Sequence, residues 1–182
     1  MNIPGFATSR LFVRPWREVL IDPVSAASFE QALGTLLSPA VLEHLPPALQ
    51  LNRDDGHEVI ADWFAARIEE SEVLIARADD GRLVGLILLA PDTDPAGVPA
   101  VHIGYLLSES FWGKGMATEL VTGLTFALNE RGPLRLIGGV GLDNGASAKV
   151  LRKAGFHKDD QLSSADTDIF VCDIPERARL YH

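Results

Sequence analysis

The 182-residue sequence predicts an α/β fold with a mixed central β-sheet, antiparallel in its N-terminal part and parallel at its centre, flanked by helices on both faces. Three observations carry this. Two apolar runs, Glu72–Ala78 and Leu83–Ala90, flank Asp79-Asp80-Gly81-Arg82, which is hairpin turn chemistry. A strand-like run, Val101–Leu107, leads through a glycine-rich turn into an amphipathic helix and then into a second apolar run, the order of a parallel β–turn–α–β unit. Segments with helical apolar spacing precede the hairpin and follow the turn.

Taken in order, Thr8–Trp16 reads as a strand with Leu11 and Val13 alternating and Pro15 stopping it. Pro23–Leu37 reads as a helix in which Val24, Ala27, Phe29, Leu33 and Leu36 cluster. Ser38-Pro39 opens a short helix, serine as N-cap and proline at the first helical position, and Pro46-Pro47 ends it. Asp54 or Asp55 starts a further helix whose apolar face is Val59, Ile60, Trp63, Phe64 and Ile68. After the hairpin, Asp92–Pro99 is an exposed loop by its proline and aspartate content. Gly115–Asn129 is the next helix, and Leu134–Leu142 a strand carrying Gly138, Gly139 and Gly141, a sign of close approach by a ligand or another backbone. Asn144–Ala154 is a helix with Asn144 near its N-cap and Gly155 beyond its end. Phe156–Lys158 and Asp168–Ile174 close the sheet as an antiparallel pair.

Composition narrows the function classes. The length fits one domain, residues 1–182. No apolar run reaches the ~20 residues needed to span a bilayer, and the N-terminus lacks the basic and apolar regions of a signal peptide. The lone Cys172 allows no intramolecular disulfide, so a cytoplasmic location is expected. A net charge of −9 argues against nucleic acid as a partner and mildly favours cationic ones. No His, Cys and Asp cluster has metal-ligand spacing, so no metal is expected.

The turn Phe111-Trp112-Gly113-Lys114-Gly115-Met116-Ala117-Thr118 is the most informative stretch. A helix start offers amides without intrahelical acceptors, and the helix dipole adds positive character. Glycine lets the backbone approach an anion closely. A phosphate-bearing ligand is therefore expected. A Walker-type loop is absent, and the dinucleotide pattern G-x-G-x-x-G breaks at Thr118, although Asp143 remains available as a ribose acid. A coenzyme A pyrophosphate turn is the third alternative.

Four segments carry a resemblance: Thr8-Ser9-Arg10-Leu11-Phe12-Val13-Arg14-Pro15, Ile103-Gly104-Tyr105-Leu106-Leu107, the Phe111–Thr118 turn, and Asn144-Gly145-Ala146-Ser147 running to Leu151-Arg152-Lys153-Ala154-Gly155-Phe156. In this order they resemble the GNAT N-acyltransferases, and within them the Rim-type branch that acetylates ribosomal-protein N-termini and related amines. The resemblance implies a GNAT fold and acetyl transfer from acetyl-CoA to a primary amine, either a protein N-terminus or a small amine or polyamine. The protein would act as a monomer or homodimer. It also implies that backbone N–H groups of Trp112, Gly113, Lys114, Gly115, Met116 and Ala117 hold the pyrophosphate, with a bond from the Thr118 hydroxyl. Leu106 and Leu107 would bond the pantetheine and offer an oxyanion N–H. Asn144 would bond the pantetheine or cap its helix, and Lys149 and Lys153 would reach the 3′-phosphate.

The chain departs from the family at three points. Phe111-Trp112 replaces the Gln or Arg that opens the family's turn pattern. Leu151 stands where many GNATs have a tyrosine acid, and His102 where the branch often has glutamate. Histidine titrates near neutrality, so His102 is the candidate base, on the strand face opposite Ile103 and Tyr105. Ser147 resembles the branch's acid. The departures also admit a non-catalytic acyl-CoA-binding module.

Overall fold

The computed structural model describes residues 3–51, 58–94, 97–129 and 131–176. Eight strands form one sheet in the order β1-β2-β3-β4-β5-β6-β8-β7. They are β1 (Phe6–Ala7), β2 (Leu11–Pro15), β3 (Glu72–Ala78), β4 (Leu83–Thr93), β5 (Pro99–Leu107), β6 (Leu134–Gly141), β7 (His157–Asp159) and β8 (Thr167–Ile174). Every neighbouring pair is antiparallel except β5 and β6. This is the mixed sheet expected, antiparallel in its N-terminal part and parallel at its centre.

Helices α1 (Trp16–Val19), α2 (Pro23–Leu36), α3 (Pro39–Glu43) and α4 (Glu58–Glu70) separate β2 from β3. Asp22 caps α2, accepting from the amides of Val24 (2.9 Å) and Ser25 (3.0 Å), with Pro23 in the first turn. The α2 stripe is narrower than its apolar residues predict. Phe29, Leu33 and Leu36 are buried, whereas Val24, in the first turn, is 78% exposed. Ser38 caps α3 through the Val41 amide. The expected start of α4 at Asp54 or Asp55 lies outside the described residues. Trp63 and Phe64 are buried, and the Trp63 indole donates to the Leu49 carbonyl.

The β3–β4 turn forms where predicted, with Gly81 at φ +82. The loop expected over Asp92–Pro99 is shorter, because Asp92 and Thr93 pair with Ala100 and Pro99. The two-residue β1 has no periodic signal of its own and exists by pairing with Phe12 and Val13.

Helices α5 (Met116–Leu128) and α6 (Gly145–Lys153) cover one face. Leu120, Val121, Leu124 and Leu128 of α5 and Ala148 and Leu151 of α6 pack on Val13, Leu74, Ile87, Ile103, Leu136 and Phe170. On the other face α2, α3 and α4 cover Val73, Ile75, Leu86, Leu88 and Leu106. Past β5 that face carries, among the described residues, the small cluster of Ala100, Ile137 and Val171. Leu120 is fully buried, so Leu120→Ala is expected to cost about 2–5 kcal/mol of stability, read from the urea midpoint.

Candidate active site

The site begins where the sheet opens. β5 and β6 pair at only three positions, Ala100↔Arg135, Val101↔Leu136 and His102↔Ile137. β5 continues to Leu107 and β6 to Gly141 without further pairing, so the two strands splay apart. The other edge of β5 stays bonded to β4, as far as Gly85↔Leu107. The Ser108 amide donates to the Val84 carbonyl at 2.9 Å. Backbone polar groups alternate between the two edges of a strand. Leu106 therefore turns its backbone to β4, whereas Ile103, Tyr105 and Leu107 turn theirs into the opening. The Leu107 carbonyl there accepts the Trp112 indole N–H at 2.8 Å.

The glycine turn lies at the mouth of this opening. Gly113 and Gly115 have φ of +70 and +75, a left-handed conformation that costs other residues about 1–2 kcal/mol. Gly115 is the N-cap of α5. The amides of Met116, Ala117 and Thr118 follow it in the first turn, where a helix supplies them no internal acceptor. Trp112, Gly113, Lys114 and Gly115 are exposed. The Lys114 ammonium bonds the Ser110 carbonyl at 2.6 Å. From Gly115 and Thr118 an open groove of about 880 Å³ runs past Gly123 and Phe126 to Lys153.

A polar cluster unforeseen in the sequence underlies this turn. Glu119, in the first turn of α5, accepts from the hydroxyls of Thr8 (2.6 Å) and Ser9 (2.9 Å), the Arg10 amide (2.9 Å) and the Arg10 guanidinium (Nε, 2.7 Å). The other arm of Arg10 donates to the Lys114 carbonyl at 3.0 Å. Burial pushes the Glu119 pKa up, but the bonds from Thr8, Arg10 and Ser9 outweigh it and lower it from 4.5 to about 2. A depressed carboxylate adds stability that is complete above its unfolded pKa and lost as pH falls toward the folded one. Stability of the protein is therefore expected to drop between about pH 4.5 and 2. In Glu119→Gln that part of the curve of unfolding free energy against pH should flatten.

His102 lies at the apex of the splay, on the face away from Ile103 and Tyr105, which pack with α5 and α6. Its Nε2 is 2.8 Å from Asp92 Oδ2, and both side chains are 52% exposed. The Thr93 amide, and then His102, hold the Asp92 carboxyl below its usual range. Toward the mouth, the next residue on the same face is Gly104, which places no side chain between His102 and Leu106. Nothing local in the sequence marks Asp92, which opens a proline- and aspartate-rich stretch that favours a loop.

On the other face Tyr105 donates its hydroxyl to the Ser147 carbonyl at 3.3 Å, and burial pushes its phenol pKa up. Asn144 caps α6, its Oδ1 accepting from the Ser147 amide at 3.0 Å. Ser147 is half-buried, while Lys149 and Lys153 are exposed. Gly138 admits Leu151 closely: a Cβ there would lie 3.1 Å from a Leu151 methyl. Near the mouth, Ser38 bonds Glu109, and the His44 ring lies 6.0 Å from that of Trp112. Trp63 and Phe64 are core residues. Among the described residues no group of three or more His, Cys, Asp or Glu is placed to hold a metal, and no helix is long and apolar enough to cross a membrane.

Comparison with known proteins agrees with this geometry. Residues 10–157 match the acetyltransferase (GNAT) domain. The probable N-acetyltransferase YjcK of Bacillus subtilis is 38% identical over 152 residues, covering 79% of this chain and 82% of that protein. Similar solved structures include a RimL ribosomal-protein α-N-acetyltransferase in complex with coenzyme A, with a TM-score of 0.63, 19% identity and coverage of 94% and 97% of the two chains. Spermidine N-acetyltransferase from Vibrio cholerae, solved with coenzyme A and spermine, has a TM-score of 0.64 at 11% identity, covering 92% and 97%. The family match and the relationship to YjcK together establish that the chain belongs to the GNAT family, acetyltransferases that act with coenzyme A.

Proposed function

We propose that this protein transfers the acetyl group of acetyl-CoA to a primary amine, either a protein N-terminal α-amine or a small amine or polyamine, by direct attack on the thioester. The observation that carries this reading is the continuity of the β5–β6 opening with the Gly113–Gly115 turn. One end supplies strand-edge backbone and the other helix-start amides, which fits a ligand with an amide-bearing arm and a pyrophosphate.

In this reading the amides from Trp112 to Ala117 and the Thr118 hydroxyl hold the pyrophosphate. The pantetheine arm lies along the free edge of β5. Of the two candidates there, Leu107 is favoured over Leu106 because Leu106 turns to β4. With the Leu107 carbonyl taken by Trp112, its N–H remains to face the thioester oxygen. Asn144 Oδ1 serves the helix cap, so its amide nitrogen is the arm that reaches the donor. Lys149 and Lys153 reach the 3′-phosphate.

The acceptor enters on the face of His102 and Gly104. His102 takes the ammonium proton, its ring oriented by Asp92. The nitrogen attacks the thioester carbon, and the C–S bond breaks. The proton that the new amide nitrogen sheds passes through the Ser147 hydroxyl to the coenzyme A sulfur, an undemanding step for a thiol of ordinary pKa ~8.5. An α-amine of pKa ~7.7–8.0 needs less help from the base than a lysine-like amine of ~10.4. The RimL and spermidine N-acetyltransferase neighbours, one named for a protein α-amine and the other for a polyamine, support amine acceptors of both kinds. The whole chain acts as one domain without a metal, as a monomer or homodimer, and the lone Cys172 supports a cytoplasmic location.

Thermal melting with acetyl-CoA, coenzyme A, NAD and ATP at matched concentration tests the donor. A ligand that binds only the folded state raises the melting temperature, and only the coenzyme A species should do so. Release of free coenzyme A on adding peptide N-termini or polyamines then sorts the acceptors. Absence of release with every amine would overturn the proposed acceptor class.

A further inference from the structure

We propose that Arg10 and Glu119 are positioning residues for the phosphate-binding turn, so that the turn between β1 and β2 forms part of the donor site. This rests on the donor reading above.

A carboxylate in the first turn of a helix interacts favourably with that helix's dipole. The start of α5, however, is also where a pyrophosphate is expected, and a free carboxylate there would repel it. The bonding of Glu119 resolves the conflict. Every group that reaches it, from Thr8, Ser9 and Arg10, is a donor. The Arg10 guanidinium, 2.6 Å away at its closest, supplies the compensating charge. The carboxylate is thus turned toward the β1–β2 turn, where its charge is compensated.

The second half of the device is the other arm of Arg10. A guanidinium is a planar fork whose N–H groups point in fixed directions. With two arms fixed on Glu119, the remaining one reaches the Lys114 carbonyl at 3.0 Å. Lys114 lies between the two positive-φ glycines, and Arg10 NH2 is also 3.7 Å from where a Gly115 Cβ would be. In a peptide unit the N–H points opposite the C=O. Holding the Lys114 carbonyl toward Arg10 therefore turns the Gly115 N–H the other way. Arg10 thus fixes the crest of the turn, between residues whose flexibility would otherwise leave the amides unaligned.

The test is Arg10→Lys, which keeps the charge and can satisfy Glu119 or the Lys114 carbonyl but not both in the fork geometry. Binding of coenzyme A is measured by calorimetry and steady-state constants for donor and acceptor separately. Loss of one charge-assisted bond predicts a roughly tenfold rise in Kd for coenzyme A and in KM for acetyl-CoA. The turnover number and the acceptor KM should stay within about twofold of wild type. Glu119→Gln should weaken the donor similarly, and the double variant should show no further full step, because the two act as one unit. Phe12→Ala, at an exposed β2 position whose side chain takes no part in the Arg10–Glu119 cluster, is the control for mere loosening of β2 and should leave the donor constants unchanged. A lowered melting temperature in Arg10→Lys with unaltered coenzyme A affinity would reduce the cluster to a fold contact and overturn the proposal. Wild-type protein that fails to bind coenzyme A at all would instead refute the donor reading on which it stands.

Discussion

Gly115→Asp is expected to abolish acetyl-CoA binding while leaving a folded protein. Two effects separate cleanly at this position. Gly115 has φ +75 and its Cβ direction is open apart from the Arg10 guanidinium 3.7 Å away, so the cost to folding is mainly the left-handed conformation. That is about 1–2 kcal/mol. The cost to binding is electrostatic. A carboxylate about 4 Å from a phosphate charge, at an effective dielectric of about 20, is worth about 4 kcal/mol, close to a thousandfold in affinity. Gly115→Asn supplies the comparison, since asparagine has the same shape, carries no charge and tolerates the left-handed region. It should keep affinity within about tenfold of wild type. Calorimetric titration of both variants decides the matter. Wild-type affinity in the aspartate variant would mean that no anion sits at this turn. Equal loss in both would mean that geometry, not charge, governs it.

The second large effect is expected from His102→Ala. Removal of a positioned base lowers rates by about 10²–10⁴-fold. The loss should depend on pH in a defined sense. Below the amine's own pKa the ammonium must be deprotonated on the enzyme, and there the variant should be poorest. Above about pH 8 an α-amine is largely neutral in solution, and the deficit should shrink. Asp92→Asn, which keeps a hydrogen-bonding partner at Nε2 but removes the charge, should give a smaller loss, about tenfold, in the same direction. The profile of kcat/KM against pH for the three proteins is the measurement. A His102→Ala profile parallel to wild type at every pH would reduce the histidine to a surface partner of Asp92.

Most of the sheet was legible because its signals are local. The β3–β4 turn, the Ser38 and Asn144 caps and the apolar stripe of α5 are each written within a few residues. The Phe111–Thr118 turn was legible for the same reason, two glycines followed by an amphipathic helix. What escaped was non-local. Arg10 and Glu119 are 109 residues apart, and neither residue type announces the other. Asp92 and His102 meet only because β4 extends three residues past Ala90, into a stretch whose proline and aspartate favour a loop. Tertiary pairing overrode local propensity there. The direction in which Leu106 and Leu107 turn their backbones was likewise fixed by the register with β4, which no motif encodes.

Three rungs join β5 to β6, whereas β4 pairs with β5 along nine residues and β6 with β8 along eight. In mechanical terms the sheet is two plates on a narrow hinge, the seam above it unsewn. A ligand lying in that seam acts as a missing strand. Amide exchange at Tyr105 and Leu107 should therefore slow on donor binding far more than at Leu106, whose N–H is already committed to β4. On the proposed function, the enzyme without its donor is an unfinished sheet, and the contact that would ready the reaction would also complete the fold.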